Sequence, residues 1–98
     1  MTEELISEAV RELTEVLAAT GDKKEIGDFL SSLLTRAELR AIAARWTLVK
    51  EIARGTPQRD IAKKYSLSLC KITRGSRELK KENSPFRLML DRVKKGGS

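Results

Sequence analysis

Histidine is missing from this 98-residue sequence, and cysteine occurs once, at Cys70. Without histidine the commonest general base is gone, and a single thiol cannot complete a zinc site, so neither a metal nor any other cofactor is expected. One cysteine and no histidine also give no nucleophile paired with a base, and the chain is not expected to be an enzyme. A lone cysteine forms no internal disulfide. Neither a signal peptide nor a run of about 20 apolar residues is visible, which points to a reducing cytoplasm and away from a membrane. Aromatic residues are scarce, at 4 %.

What is present is the balance of a helical, folding chain: 40 % hydrophobic residues, with Leu, Ala, Ile, Glu, Lys and Arg prominent. A single domain of this length buries a modest core, so a homodimer that pools two cores is expected. The net charge of +6 conceals an asymmetry. Residues 1–34 carry eight acidic side chains against three basic ones, whereas residues 35–98 carry 17 basic against six acidic. A basic half suits a polyanion, nucleic acid first, with a solvated surface or an anionic membrane as the alternatives.

Six helices and no strand are expected. Leu5, Ile6, Ala9, Val10, Leu13, Val16 and Leu17 recur at steps of three and four, an amphipathic helix over 3–19 that ends at Thr20, Gly21 and Asp22. A second helix over 23–34 carries Ile26, Phe29, Leu30, Leu33 and Leu34. Thr35 followed by Glu38 reads as a capping box that opens a long third helix, with Leu39, Ile42, Ala43, Trp46, Val49, Ile52 and Ala53 inward. Gly55 closes it, and Thr56 as N-cap with Pro57 at the first helical position starts the fourth. Ser84 and Pro85 announce the last helix, over 84–95, with Phe86, Met89, Leu90 and Val93. Gly96, Gly97 and Ser98 read as an unstructured tail.

Between them, residues 57–81 have the layout of a helix-turn-helix. Ile61 faces inward, Ala62 permits a close crossing, Ser66 takes the tight turn, Leu67 plugs the corner and Ile72 anchors the second helix. Arg59, Lys63, Lys64, Lys71, Arg77, Lys80 and Lys81 surround this frame; an ordinary helical hairpin needs only the apolar periodicity. In such motifs the second helix enters the major groove by its N-terminal residues. Ser68, Leu69, Cys70, Lys71 and Thr73 are then the candidates for the groove, Leu69 and Cys70 through thymine methyls and Lys71 through guanine acceptors or a phosphate. Gln58, Arg59 and Lys63 are candidates for the phosphates, which fix register without reading sequence, and Arg77 is a further DNA-binding candidate. Cys70 as a small buried hydrophobe is the alternative.

Leu34-Thr-Arg-Ala-Glu-Leu-Arg40, Ala44-Arg45, Arg54-Gly55, Gln58-Arg59 and Ile72-Thr-Arg-Gly-Ser76 with Leu79-Lys80 resemble the tryptophan operon repressor family over about residues 29–94. The resemblance implies one 1–98 domain: an all-α, six-helix, intertwined dimer in which helices of residues 3–55 form the shared core. It also implies a corepressor site for L-tryptophan, its indole between Arg45 and Arg74, its carboxylate on Arg74 and Thr35, with Gly75 leaving room beside the ring. Two departures stand out. Glu78 occupies a position where the family usually has serine, near the ligand's amino group, and it can either bind that ammonium or pair with Arg74 one turn away. The Gly55-Thr-Pro-Gln58 link is one residue shorter than in the family.

The expected function is therefore a sequence-specific repressor that binds a palindromic operator in double-stranded DNA and is switched by L-tryptophan or a related amino acid. The alternatives are a ligand-independent DNA binder of the same family, and a dimeric module whose basic half meets an acidic protein.

Overall fold

The computed structural model describes residues 1–97, with side chains through Val93. It is all-helical: α1 Glu3–Ala19, α2 Lys23–Leu33, α3 Arg36–Ala53, α4 Gln58–Tyr65, α5 Leu69–Lys80 and α6 Pro85–Gly97, with no strand among the described residues. The chain divides into two compact units, residues 1–39 and residues from 40 onward, and α3 runs through the division.

In the N-terminal unit, each helix start is held by a side chain that accepts from an otherwise unpaired backbone N–H. Thr2 Oγ1 accepts from Leu5 N–H at 3.2 Å, and Asp22 Oδ1 from Lys24 N–H at 2.9 Å. The capping box forms as expected: Thr35 N–H donates to Glu38 Oε1 at 2.8 Å, and Glu38 N–H donates to Thr35 Oγ1 at 3.1 Å. The backbone N–H of Thr35, and after it the Thr35 side chain, hold the Glu38 carboxyl below the usual carboxylate range. No residue of α1 or α2 is buried. Leu5, Val10 and Val16 are each more than half exposed, so a single copy leaves the apolar stripe of α1 uncovered.

The C-terminal unit holds the core. Leu48, Ile61 and Ile72 pack together with Ile52, Ala62, Tyr65 and Leu67, joining α3 to the α4–α5 pair. Val49, Leu79 and Leu90 form a second cluster with Trp46, Ile52 and Phe86, which fastens α6. Ile61 and Ile72 are fully buried and Leu67 packs against them, as the sequence pattern requires. The inward face of α3 differs from expectation. Leu48 is buried, while Ile42, Ala43 and Ala53 are exposed. Apolar residues occupy more than one face of α3, and periodicity cannot say which of them α4, α5 and α6 will cover.

Gly55, at φ +87°, closes α3 in a Schellman arrangement, Thr56 N–H reaching Glu51 C=O and Gly55 N–H reaching Ile52 C=O. Helix α4 then starts one residue later than expected, with Pro57 as its N-cap, because the Thr56 hydroxyl donates to Glu51 Oε2 at 2.9 Å instead of capping. Glu51 also accepts from Arg54 at 3.1 Å, which makes this nearly buried carboxylate the staple of the short link. The hydroxyl bond from Thr56 lowers the Glu51 pKa, outweighing the opposing desolvation. Ser84 precedes α6 and its carbonyl accepts from Leu88 N–H, but its own hydroxyl is buried without a partner and caps nothing. Helix α6 continues through Gly97, so Gly96 and Gly97 extend it where a tail was expected; no proline or capping residue stops it. Ser98 lies outside the described residues.

Candidate nucleic-acid interface and ligand cavity

Helices α4 and α5 are joined by the turn Ser66–Ser68. Ser66 adopts the left-handed conformation, φ 55° and ψ 42°, where glycine is the usual choice, and Leu67 N–H returns to Ala62 C=O at 3.2 Å. Ser68 then caps α5, its Oγ accepting from Lys71 N–H at 3.3 Å. The result is a helical pair pinned from beneath by Ile61, Leu67 and Ile72 and polar above.

Every residue proposed for nucleic acid is exposed: Gln58, Arg59 and Lys63 on α4, Ser68 in the turn, and Leu69, Cys70, Lys71, Thr73 and Arg77 on α5. Leu69 is 59 % exposed, and Cys70 is a free, exposed thiol. Thr73 Oγ1 donates to Leu69 C=O at 2.9 Å. Its hydroxyl therefore offers an acceptor to a base edge, since its one hydrogen is already used. Lys64 lies outside this set, with its ammonium 5.3 Å from the Tyr65 ring centre.

On the other flank of α5 lies a cavity of about 420 Å³, within the range of small-molecule sites. Leu48, Val49, Leu67 and Phe86 supply apolar walls, and Arg45, Lys71, Arg74 and Glu78 supply charge. Arg45, Arg74, Gly75 and Glu78, four of the five residues expected to hold a ligand, thus line one space. Thr35 belongs to the N-terminal unit, where it caps α3. Gly75 has a second reason to be glycine, because a Cβ there would sit 3.2 Å from Leu48 Cδ2 and 3.4 Å from Ile52 Cδ1. Its absence lets α5 cross α3 closely.

The charges are arranged differently from the simplest sequence reading. Arg74 and Glu78 make no ion pair; Glu78 Oε1 instead accepts from Lys81 Nζ at 2.9 Å. That bond chiefly lowers the Glu78 pKa, against partial desolvation, with the positive charges of Lys81 and Arg74 adding to it. Arg45 and Arg74 have no ion-pair partner among the described residues. Sequence reasoning missed that Lys71 lines the cavity as well as the exposed start of α5. Its position one turn before Arg74 was the available signal.

No helix among the described residues is long and apolar enough to cross a membrane, and no group of His, Cys, Asp and Glu side chains there could hold a metal ion.

A Trp operon repressor homolog of Chlamydia trachomatis serovar L2 is 34 % identical over 71 residues, covering 71 % of this chain and 76 % of that protein. The Trp operon repressor homolog of Chlamydia caviae is 39 % identical over 64 residues, 64 % of this chain and 63 % of its own. That of Vibrio vulnificus is 28 % identical over 92 residues, 89 % and 90 % of the two chains. No solved structure matches at comparable stringency. The family model described as Trp repressor protein matches residues 8–94, nearly the whole sequence, and the chain accordingly belongs to the Trp repressor family of transcriptional repressors.

Proposed function

We propose that the chain is a cytoplasmic, homodimeric repressor that reads duplex DNA with α5 and holds phosphates with α4. Its operator affinity is set by an amino acid, L-tryptophan foremost, bound in the cavity. The observation that carries this reading is the double duty of α5. Its exposed N-terminal turn presents Leu69, Cys70, Lys71 and Thr73, and the same helix lines the cavity with Lys71, Arg74, Gly75 and Glu78. A ligand held against that wall acts directly on the element that meets the groove.

The chemistry of the lining suits an aromatic amino acid. Two unpaired guanidinium groups stack on a ring and accept a carboxylate. One carboxylate answers an ammonium, and an apolar floor of Leu48 and Val49 accepts the rest. Dimerisation is supported by the uncovered stripe of α1, where Leu5, Val10 and Val16 need an apolar partner. A ligand works as a switch only through a higher affinity for the DNA-competent arrangement.

Selection of bound sites from random duplex DNA, with and without L-tryptophan, tests the proposal. It predicts a palindrome with half-sites about one helical turn apart, enriched more strongly when tryptophan is present. The same palindrome recovered equally in both arms would identify a ligand-independent repressor, and recovery of no palindrome would remove the groove-reading role.

A further inference from the structure

We propose that Glu51 is a positioning residue for DNA recognition: by holding Thr56 it fixes the direction in which α4 leaves α3, and with it the separation of half-sites that a dimer accepts. The inference rests on the dimeric, groove-reading function proposed above and names the contact that sets its geometry.

Only residues 54–57 separate α3 from α4. Glu51, in the last turn of α3, is 7 % exposed and is the one charged side chain buried among the described residues. A carboxylate withdrawn from water has to find its donors in the protein. Here both oxygens do so within the link: Oε2 accepts from Thr56 Oγ1 at 2.9 Å, and Oε1 accepts from Arg54 Nη1 at 3.1 Å. The Glu51 carbonyl also accepts from Thr56 N–H, at 3.1 Å. Thr56 is thus tied to one residue at two points, backbone and side chain, and a link held at two points does not swivel as one held at a single point does. Pro57, at the cap position, makes no side-chain hydrogen bond to α4. The contact of Thr56 with Glu51 is therefore what steers the entry to that helix.

The far end of α4 bears on the same carboxylate. Thr56 contributes most to the lowered Glu51 pKa, and Lys64 and Tyr65, in the last turn of α4, add to it together with Arg54 against desolvation. Ile61 of α4 and Ile72 of α5 are buried in one cluster, so α5 follows α4. A change in the exit direction of α4 then moves Gln58 and Arg59, which follow Thr56 at once, along with the exposed start of α5. In a two-fold dimer the same displacement occurs twice with opposite sense, and the distance between the two reading heads changes by both. One base pair is roughly 3.4 Å along the duplex axis and a tenth of a turn, which makes spacing a sensitive gauge of that direction.

Anisotropy titrations of the full chain test this on the selected palindromic duplex and on duplexes with one base pair added or removed between the half-sites. The proteins are wild type, Thr56→Val, Thr56→Ser, Glu51→Ala and the double variant Glu51→Ala with Thr56→Val, each checked for native helicity at the assay temperature. Wild type is expected to prefer the selected spacing by at least about tenfold. In Thr56→Val and Glu51→Ala that preference falls below about threefold, whereas Thr56→Ser, which keeps the hydroxyl, retains it. The double variant is no worse than Glu51→Ala alone, because the two changes break one contact. The Thr56 pair decides if Glu51→Ala does not fold. A merely structural role lowers affinity for all three duplexes by one factor and leaves the preference; that result for Thr56→Val, or an unchanged preference, overturns the positioning role and leaves the DNA-reading function standing. A wild type that binds none of the duplexes, or all three equally, overturns both.

Discussion

Two leucine-sized side chains on α5, three residues apart, should separate stability from recognition. Ile72 is fully buried against Leu48 and Ile61, whereas Leu69 is 59 % exposed. Ile72→Val removes one methylene from the core, about 0.8 kcal/mol of transfer free energy, and the small cavity left behind brings the loss to about 1 kcal/mol. For a domain of this size that lowers the melting temperature by roughly 4–8 °C. Leu69→Ala removes carbon that water already reaches, so the melting temperature should move by less than about 2 °C, as for most exposed positions. In the DNA complex the ranking reverses. Covering the exposed part of Leu69 against thymine methyls gains about 1 kcal/mol per half-site, so Leu69→Ala, present in both protomers, should weaken a selected palindromic operator by about 2 kcal/mol, roughly thirtyfold. Ile72→Val should leave that affinity within twofold of wild type. Thermal melts at fixed protein concentration and fluorescence anisotropy on the selected duplex give the two readouts. A Leu69→Ala protein that melts as early as Ile72→Val, or that binds the operator as tightly as wild type, would refute the assignment of these faces.

Other substitutions test the links. Ser66→Gly relieves a left-handed serine, a strain of about 1–2 kcal/mol, but frees the unfolded chain by about 0.5–1 kcal/mol; a net rise in stability of roughly 0.5 kcal/mol is expected from chemical denaturation. The Glu38 pKa is lowered by the backbone N–H of Thr35 and then by the Thr35 side chain, so its contribution is fully present above the ordinary value of 4.5 and is lost as pH falls through the lower folded value. Glu38→Gln should therefore lower stability at pH 7 and flatten the acid limb of the stability profile; an unchanged acid limb counts against the capping box. Thr56→Val keeps the side-chain shape and removes the hydroxyl bond to Glu51, so the Glu51 pKa, followed by carboxyl NMR, should rise from its lowered value.

The local chemistry of this fold was readable because its signals are short in sequence. Thr35 and Glu38 are three apart, and Ile61, Leu67 and Ile72 lie within one pair of helices, so their roles follow from spacing alone. What escaped was set by neighbours distant in sequence or by competition between partners. Leu48 is buried because α4 and α5 arrive over it, and nothing near it announces which face of α3 they will choose. Thr56 had two uses open to it, and the buried Glu51 carboxylate won over the start of α4. Glu78 likewise faced two cations, Arg74 one turn before and Lys81 three residues after, and the local sequence does not rank them. The glycine at Gly75 was visible, while the reason for it, the approach of Leu48 and Ile52, was not.

On the proposed function, the exposed α4–α5 surface neutralises DNA phosphates under control of the cavity. Anisotropy titrations of the selected duplex across salt, with and without saturating L-tryptophan, test it most directly. Arg59, Lys63 and Arg77 from each of two chains give six neutralising contacts, hence a slope of log affinity against log salt of roughly −5. That slope is expected together with higher affinity at every salt concentration when L-tryptophan is bound. A slope near zero, or affinity that L-tryptophan leaves unchanged throughout, would contradict it.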